Sequence, residues 1–207
     1  MHIVKPAIKL IWVTPNALSI IEKSGRTCYK SENKITKQSA EKFVSRIIKM
    51  GHESVLEHAV ASFRIICDRG VSHELVRHRL AAYSQESTRY CDYSSKKFNC
   101  GLSIIHPKGL SKNQIKQREI LLKQIETLYN AEISEGVKPQ ISRGILPHCL
   151  KTEIVCTMNF REWRLVLKAR TSEAAHPQID EVMQMILNWF RKKYPVIVED
   201  LTEKIKS

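Results

Sequence analysis

Three kinds of sequence feature are absent from this chain, and each absence excludes a class of protein. No apolar run approaches the ~20 residues that a membrane-spanning helix needs, and the stretch from Met1 to Val13 lacks the anatomy of a signal peptide. The six cysteines form no Cys-x-x-Cys pair and no zinc-ligand spacing with histidine. There is also no glycine-rich dinucleotide fingerprint. We therefore expect a cytoplasmic protein with free thiols, without a metal site and without a membrane partner.

The composition is that of one ordinary globular domain. The 207 residues are 43% hydrophobic and 27% charged, which allows a sizeable core and argues against disorder. No internal repeat, low-complexity segment or linker divides the chain. The sequence therefore predicts a single domain over residues 1–207.

Positive charge is in clear excess. Thirty-four lysines and arginines stand against 21 acidic residues, for a formal net charge of +13. This balance favours an anionic partner, either a nucleic acid or anionic small molecules such as nucleotides. The lysines are dispersed apart from small clusters at 96–97 and 191–193, whereas a dedicated nucleic-acid arm is usually more concentrated. A basic nucleic-acid-binding module is thus the alternative to an enzyme that binds small anions.

Apolar periodicity predicts a chain of mixed strands and helices. The patterns at residues 8–13, 59–67 and 151–158 are typical of strands. Long amphipathic helices are predicted at 111–135 and 177–193. The apolar face of the second is expected to comprise Ile179, Val182, Met183, Ile186, Leu187 and Phe190.

Polar residues at the predicted helix starts indicate particular caps. Thr14, followed by Pro15, predicts one helix start, and Ser72 predicts the start of a short helix. Asn159 is placed to cap the helix that follows the third strand. Pro195 is expected to end the last helix and to leave a short tail.

Arginines and hydroxyl groups concentrate between residues 77 and 89. Arg77, His78 and Arg79 are followed, after seven residues, by Ser87 and then Arg89. Guanidinium groups hold phosphate and carboxylate groups bidentately and keep their charge near neutral pH. One interpretation is a solvated basic helix end followed by a polar strand. The other is a pocket for an anionic, planar ligand such as a nucleotide.

The spacing of this cluster resembles the Arg-His-Arg-x7-Ser-x-Arg signature of the flavin-dependent thymidylate synthases. The stretch from Gly51 to His58 is similar to the family's Gly-His-Glu-x-x-x-Glu-His motif, about twenty-five residues earlier. Arg143 precedes a Leu-Pro pair as in the family, and Asn159-x-Arg161 and the later Arg170 match a fourth motif. The four motifs occur in the family's order, and together they make the resemblance specific.

The resemblance implies an α/β fold with a mixed central β-sheet flanked by helices. It also implies a homotetramer whose flavin sites are shared between subunits. The implied reaction is the reductive methylation of deoxyuridine monophosphate (dUMP) to thymidine monophosphate (dTMP). In this reaction 5,10-methylenetetrahydrofolate supplies the carbon, FAD carries the electrons and NADPH reduces the flavin. The expected protein is thus a methyltransferase of nucleotide biosynthesis with no nucleic-acid partner.

The same resemblance assigns side chains to ligands. Arg170 and Ser87 are the candidates for the catalytic step. The candidates for flavin binding are His52, Ser54, Glu57, Arg77, His78, Arg79, Asn159 and Arg161. The candidates for nucleotide binding are Glu74, Arg77, Gln85, Ser87, Thr88, Arg89, Arg143 and Arg170.

Some positions depart from the family pattern. Glu74 stands where some relatives have a glutamine, and Ser84-Gln85 stands where relatives can show Asn-Glu. Ala174 occupies a position where the family often has histidine, and His176 comes two residues later. No family role is therefore assigned to His176.

The implied chemistry suits these residue types. Uracil C5 must become nucleophilic, which positioned guanidinium groups promote by stabilising charge on the ring. Arg170 is expected to polarise the pyrimidine, and Ser87 is expected to orient it, because no recognisable base adjoins this hydroxyl. A methylase with a cysteine nucleophile is a further alternative, but none of the six cysteines lies in a motif that marks a reactive thiol.

Overall fold

A computed structural model of the chain describes residues 1–202. The strands are β1 (His2–Ile3), β2 (Ala7–Val13), β3 (Val60–Asp68), β4 (Ala81–Gln85), β5 (Ser103–Ile104) and β6 (Lys151–Asn159). The helices are α1 (Ala17–Thr27), α2 (Ser39–Lys49), α3 (Arg69–Leu75), α4 (Lys112–Ser134), α5 (Pro139–Ser142), α6 (Phe160–Arg170), α7 (Pro177–Lys193) and α8 (Pro195–Thr202). The predicted α/β class and both long helices are confirmed.

Two sheets organise the strands. The larger has four strands in the order β2-β3-β6-β4, and the smaller is the parallel pair β1-β5. Non-sequential neighbours such as β3 and β6 are joined by a crossover of the chain, and α3, α4 and α5 lie between these two strands in sequence. None of the helices within residues 1–202 is both long and apolar enough to cross a membrane.

The chain divides into two compact units. The first comprises Met1–Ala7, Ile65–Arg77 and Ser84–Ile154, and the second comprises Ile8–Arg64, His78–Tyr83 and the chain from Val155 onward. The single domain expected from the sequence stays a prediction.

The core of the first unit lies around the long helix α4. Leu122 and Tyr129 are the buried positions of this helix, while the rest of its apolar stripe is only partly buried. Ser111 caps the helix through a complete capping box with Gln114. The other buried members of this core are Tyr93, Leu102, Ile104 and Leu150.

An aromatic cluster fills the core of the second unit. Phe63 of β3 meets the Trp163 ring of α6 edge-on at 5.4 Å and the Trp189 ring of α7 at 5.1 Å. The indole nitrogen of Trp163 is also buried, and it donates to the Ala61 carbonyl at 3.0 Å. All six predicted apolar residues of α7 are buried, so the face predicted from helical spacing is confirmed.

Two of the predicted helix caps are wrong for related reasons. The Thr14 hydroxyl accepts from the Val60 amide at 2.9 Å, so it serves strand pairing, and Asn16 precedes α1 instead. The cap of α3 is Asp68 and not the predicted Ser72, and the Asp68 carboxylate accepts from the Val71 amide at 2.8 Å. A charged carboxylate is a stronger hydrogen-bond acceptor than the Ser72 hydroxyl. The predicted Asn159 cap of α6 is confirmed.

The end of the chain also differs from expectation. Pro195 ends α7, but it does not leave a short tail, because it is the first residue of α8. Proline suits the first helical turn, where its missing N–H group has no partner to lose and its fixed φ is already helical.

Candidate active site

Three of the predicted nucleotide residues, Ser87, Thr88 and Arg89, follow β4. Ser87 opens a tight turn, in which its carbonyl accepts from the Cys91 amide at 2.9 Å and its hydroxyl accepts from the Arg89 amide at 3.3 Å. The hydroxyl is therefore oriented by backbone. This geometry suits a group that positions a ligand.

Two predicted guanidinium groups lie beside this turn. Arg143 donates to the Thr88 hydroxyl at 3.5 Å, and Arg89 donates to the Gln140 side chain at 3.1 Å. The Ser142 hydroxyl, next in sequence to Arg143, is buried and has no hydrogen-bond partner among residues 1–202. Thr88 and Arg143 are therefore in contact within the first unit, and Arg89 follows Thr88 in sequence. Donors of this kind suit an anionic oxygen-rich group such as a phosphate.

Gln85 is fixed in place by two buried hydroxyl groups. Its side-chain nitrogen lies 2.9 Å from the Ser72 Oγ atom and 3.2 Å from the Thr152 Oγ1 atom. Of the other predicted residues nearby, Glu74 is half-buried on α3 and Arg77 is exposed after the end of that helix.

Sequence reasoning missed a charged network within the arginine motif itself. Glu86 accepts from the Tyr93 hydroxyl at 2.8 Å and from the Lys151 ammonium at 2.9 Å. Burial and the Glu86 carboxylate raise the pKa of Tyr93, so its hydroxyl stays protonated and donates. The network anchors the residue that directly precedes Ser87. The lone acid between Gln85 and Ser87 was the signal available in the sequence.

In the second unit, Arg170 and His78 are direct partners. The Arg170 Nε atom donates to the His78 Nε2 atom at 3.1 Å. On the opposite side of the ring, the His78 Nδ1 atom lies 3.9 Å from the Glu162 Oε1 atom. Two residues that the sequence assigned to different ligands, His78 to the flavin and Arg170 to the nucleotide, thus contact each other.

Three of the predicted flavin residues line one cavity of the second unit. Arg161, on α6, forms an ion pair with Glu57 at 2.6 Å. Asn159 caps the start of α6 by accepting from the Glu162 amide at 2.8 Å. Glu57, Asn159 and Arg161 all line a cavity of about 450 Å³, together with Glu162 and Leu80.

The other predicted flavin residues lie apart from that cavity. His52 and Ser54 line a second cavity of about 900 Å³, whose wall includes the Phe43 ring and Arg46. Arg79 is exposed and lines neither cavity. Five of the predicted flavin residues of the second unit are thus divided between two cavities, Glu57, Asn159 and Arg161 at one and His52 and Ser54 at the other.

Comparison with known protein families and structures defines the class of protein to which this chain belongs. The model of the thymidylate synthase complementing protein family matches residues 9–196. A UMP/dUMP methylase, PolB from Streptomyces cacaoi, solved with 5-Br dUMP, superposes with a TM-score of 0.82 over 98% of this chain and 97% of its own. Its identity of 18% makes this likeness one of fold.

Sequence relatives then narrow the class. A flavin-dependent thymidylate synthase of Pyrococcus furiosus is 35% identical over 84% of this chain and 72% of its own. That of Geobacter sulfurreducens is 31% identical over 93% of this chain and 85% of its own. This chain belongs to the flavin-dependent thymidylate synthase family. The family predicted from the motifs and the assignment as an enzyme are confirmed, and the nucleic-acid-binding alternative is not favoured.

Proposed function

We propose that the protein catalyses the reductive methylation of dUMP to dTMP, with FAD as its cofactor and NADPH and 5,10-methylenetetrahydrofolate as cosubstrates. The observation that carries the proposal is the hydrogen bond between Arg143 and Thr88 in a chain that belongs to this family; Arg89 follows Thr88 in sequence and bonds Gln140. Thr88, Arg89 and Arg143 come from motifs more than fifty residues apart, and they present the donors that a nucleotide phosphate requires.

In this proposal several residues of the first unit contact the nucleotide. Arg89 and Arg143 bind near the phosphate, and the Thr88 and Ser87 hydroxyl groups orient the ligand. The Gln85 amide, immobilised by Ser72 and Thr152, contacts the nucleotide with little loss of side-chain entropy. Glu74 and Arg77 complete the proposed set.

The residues of the second unit fit a flavin. A dinucleotide carries a pyrophosphate, for which Arg79 and Arg161 offer guanidinium donors, while His78, Asn159, Ser54 and His52 offer further polar groups. Glu57 orients Arg161 through their ion pair at 2.6 Å. When bound, the flavin supplies the hydride chemistry that amino-acid side chains lack.

Arg170 is proposed to polarise the pyrimidine. Its guanidinium stabilises negative charge on the ring carbonyl as C5 becomes nucleophilic. His78 holds one edge of this guanidinium at 3.1 Å, so the side chain is oriented before the substrate arrives.

The proposed assembly is a homotetramer acting in the cytoplasm, with active sites shared between subunits. Its support is the outer face of α4, on which Ile120, Leu121 and Leu128 are each at least half exposed. Large apolar side chains grouped on one surface are typical of an association interface.

The first test of the function is a visible absorption spectrum of the purified protein, before and after addition of FAD, with dUMP titrated in. We expect oxidised flavin bands that remain with the protein through gel filtration and shift as dUMP is added. Failure to retain added FAD, together with no response to dUMP, would contradict the proposal. Salt-dependent binding to polynucleotides would then be measured next.

Replacing Ser87 by alanine should leave substantial turnover. The hydroxyl accepts a backbone hydrogen bond and orients the ligand, so its loss should raise the KM for dUMP by about three- to tenfold. Steady-state dTMP formation measures this. Complete loss of turnover with dUMP binding intact would contradict a purely orienting role for Ser87.

A further inference from the structure

A buried carboxylate lies behind the histidine that holds Arg170. Glu162 is 5% exposed, although it lies in the first turn of α6, where acidic residues are usually solvated. Its Oε1 atom lies 3.9 Å from His78 Nδ1. Burial raises the pKa of this carboxyl, and the charge of Arg161 partly opposes the shift. A charge that is costly to bury needs a compensating interaction.

The hydrogen bond on the other side of the imidazole has only one possible direction. A guanidinium has five donors and no acceptor, and it stays protonated at any ordinary pH. Arg170 Nε therefore donates to His78 Nε2, which must accept and so carries no proton. The single proton of the neutral ring then resides on Nδ1, the atom that faces Glu162.

The backbone of His78 is also held. The Tyr83 hydroxyl donates to the His78 carbonyl at 2.8 Å, which ties the middle of β4 to the residues before the strand. Burial raises the pKa of Tyr83, so this hydroxyl stays protonated. The ring is thus placed between two groups of α6, Glu162 on one side and Arg170 on the other.

We infer that Glu162 is a positioning residue that keeps His78 in its Nδ1-protonated form, so that His78 Nε2 fixes the Arg170 guanidinium. The negative charge of Glu162 favours a proton on the facing nitrogen and thereby leaves the far nitrogen free to accept. This inference rests on the proposed role of Arg170 toward the nucleotide. It adds to that role a residue outside the four motifs.

The arrangement has an unusual pH signature. Protonation of His78 removes the acceptor for Arg170 and places two cations side by side, so nucleotide affinity should fall in acid. Near neutral pH the Glu162 charge favours the Nδ1-protonated tautomer of His78. In acid the same charge also stabilises the imidazolium form of His78. Arg161 on α6, Tyr83 on β4 and Cys156 on β6 are further titratable groups close to Glu162. Burial raises the pKa of both Tyr83 and Cys156, so these two groups stay neutral. Removing the Glu162 charge should therefore weaken affinity at neutral pH and yet make it less sensitive to acid.

The test uses the full-length, FAD-loaded protein with Glu162→Gln, and Glu173→Gln as the matched control. Glu173 is exposed, lies three residues beyond Arg170 and loses the same charge. The dUMP dissociation constant is measured from pH 5 to pH 9. We expect Glu162→Gln to raise this constant about three- to tenfold at neutral pH, the size of one oriented hydrogen bond. The pH below which dUMP affinity falls should be lower for Glu162→Gln than for the unaltered protein. The Glu173→Gln control should show the same pH dependence as the unaltered protein.

A second readout is independent of nucleotide binding. Nitrogen-15 NMR of the imidazole rings, assigned with a His78→Gln variant, reports which ring nitrogen carries the proton. We expect the Nδ1-protonated form of His78 in the unaltered protein and a mixture of both forms in Glu162→Gln.

The inference is overturned if His78 carries its proton on Nε2 in the unaltered protein. It is equally overturned if Glu162→Gln loses affinity by the same factor at every pH, since that is the behaviour of a merely structural residue. If the protein binds no dUMP, the proposed function fails, but the tautomer measurement still decides whether Glu162 controls His78. An Nε2-protonated His78 in the unaltered protein overturns the inference even if Glu162→Gln does not fold.

Discussion

Replacing Arg170 by alanine should lower kcat/KM for dTMP formation by roughly 100- to 1,000-fold, the usual effect of removing one charge-stabilising donor. The guanidinium is proposed to polarise the pyrimidine, and His78 holds it at 3.1 Å. Arg170→Lys should also be severely impaired. Lysine keeps the charge but lacks the planar set of donors that can reach His78 and a ring carbonyl together.

Steady-state kinetics of dTMP formation measure the effect, with flavin retention and thermal unfolding recorded on the same samples. Arg191→Ala is the matched control, because Arg191 lies on α7 and bonds only an exposed asparagine one turn away among the partners described. It should retain full activity. Full turnover by Arg170→Ala would remove this residue from the proposed mechanism.

Replacing Arg164 by alanine should destabilise the fold by roughly 3 kcal/mol, toward the lower end of the cost of breaking a buried ion pair. Arg164 is 5% exposed and donates to Asp200 at 2.7 and 2.8 Å and to Glu53 at 2.8 Å. It also donates to the Ile197 carbonyl. One guanidinium therefore joins α6 to α8 and to the 3-10 turn Glu53–His58. We expect a cost at the lower end of that range because the Asp200 carboxylate is half exposed and can be hydrated once Arg164 is removed.

Urea unfolding at fixed protein and FAD concentration measures the loss of stability. Arg191→Ala again serves as the control and should change the unfolding free energy little. An Arg164→Ala protein as stable as the control would show that the network contributes nothing to the fold.

Acid should weaken the same network. The hydrogen bond and charge of Arg164 hold the pKa of Asp200 below its ordinary value. The stability that Asp200 contributes is thus present above the pKa of an unfolded aspartate and is lost as pH falls through the lower folded-state pKa. Urea midpoints should therefore fall more steeply in acid for the unaltered protein than for Arg164→Ala.

Local chemistry explains which predictions from the sequence held. The apolar face of α7 follows from helical spacing alone, because burial of a regular stripe needs no knowledge of its partner. Asn159 was predicted as a cap because its side chain bonds an amide only three residues away. The arginine motifs could likewise be identified by spacing, since their residue types and order already define the family.

The features that sequence reasoning missed depend on partners distant in the chain. Thr14 was predicted to cap a helix, but Val60, 46 residues away, engages its hydroxyl. The sequence gives Glu86 no obvious partner, but Lys151, 65 residues away, pairs with it in the folded chain. A hydroxyl or carboxylate has several possible partners, and only the folded chain decides which of them lies within hydrogen-bonding distance.

The sequence by itself determined the family, the α/β class, the long helices and the residue types of the candidate site, because each rests on spacing or composition. The tertiary structure alone decided that His78 contacts Arg170, that Glu162 lies buried behind it, and that His52 and Ser54 line a different cavity from Arg161. His78 and Arg170 are 92 residues apart, and no local pattern encodes a contact over that separation. Their pairing arises because packing of the second unit brings the end of α6 beside the residues that precede β4.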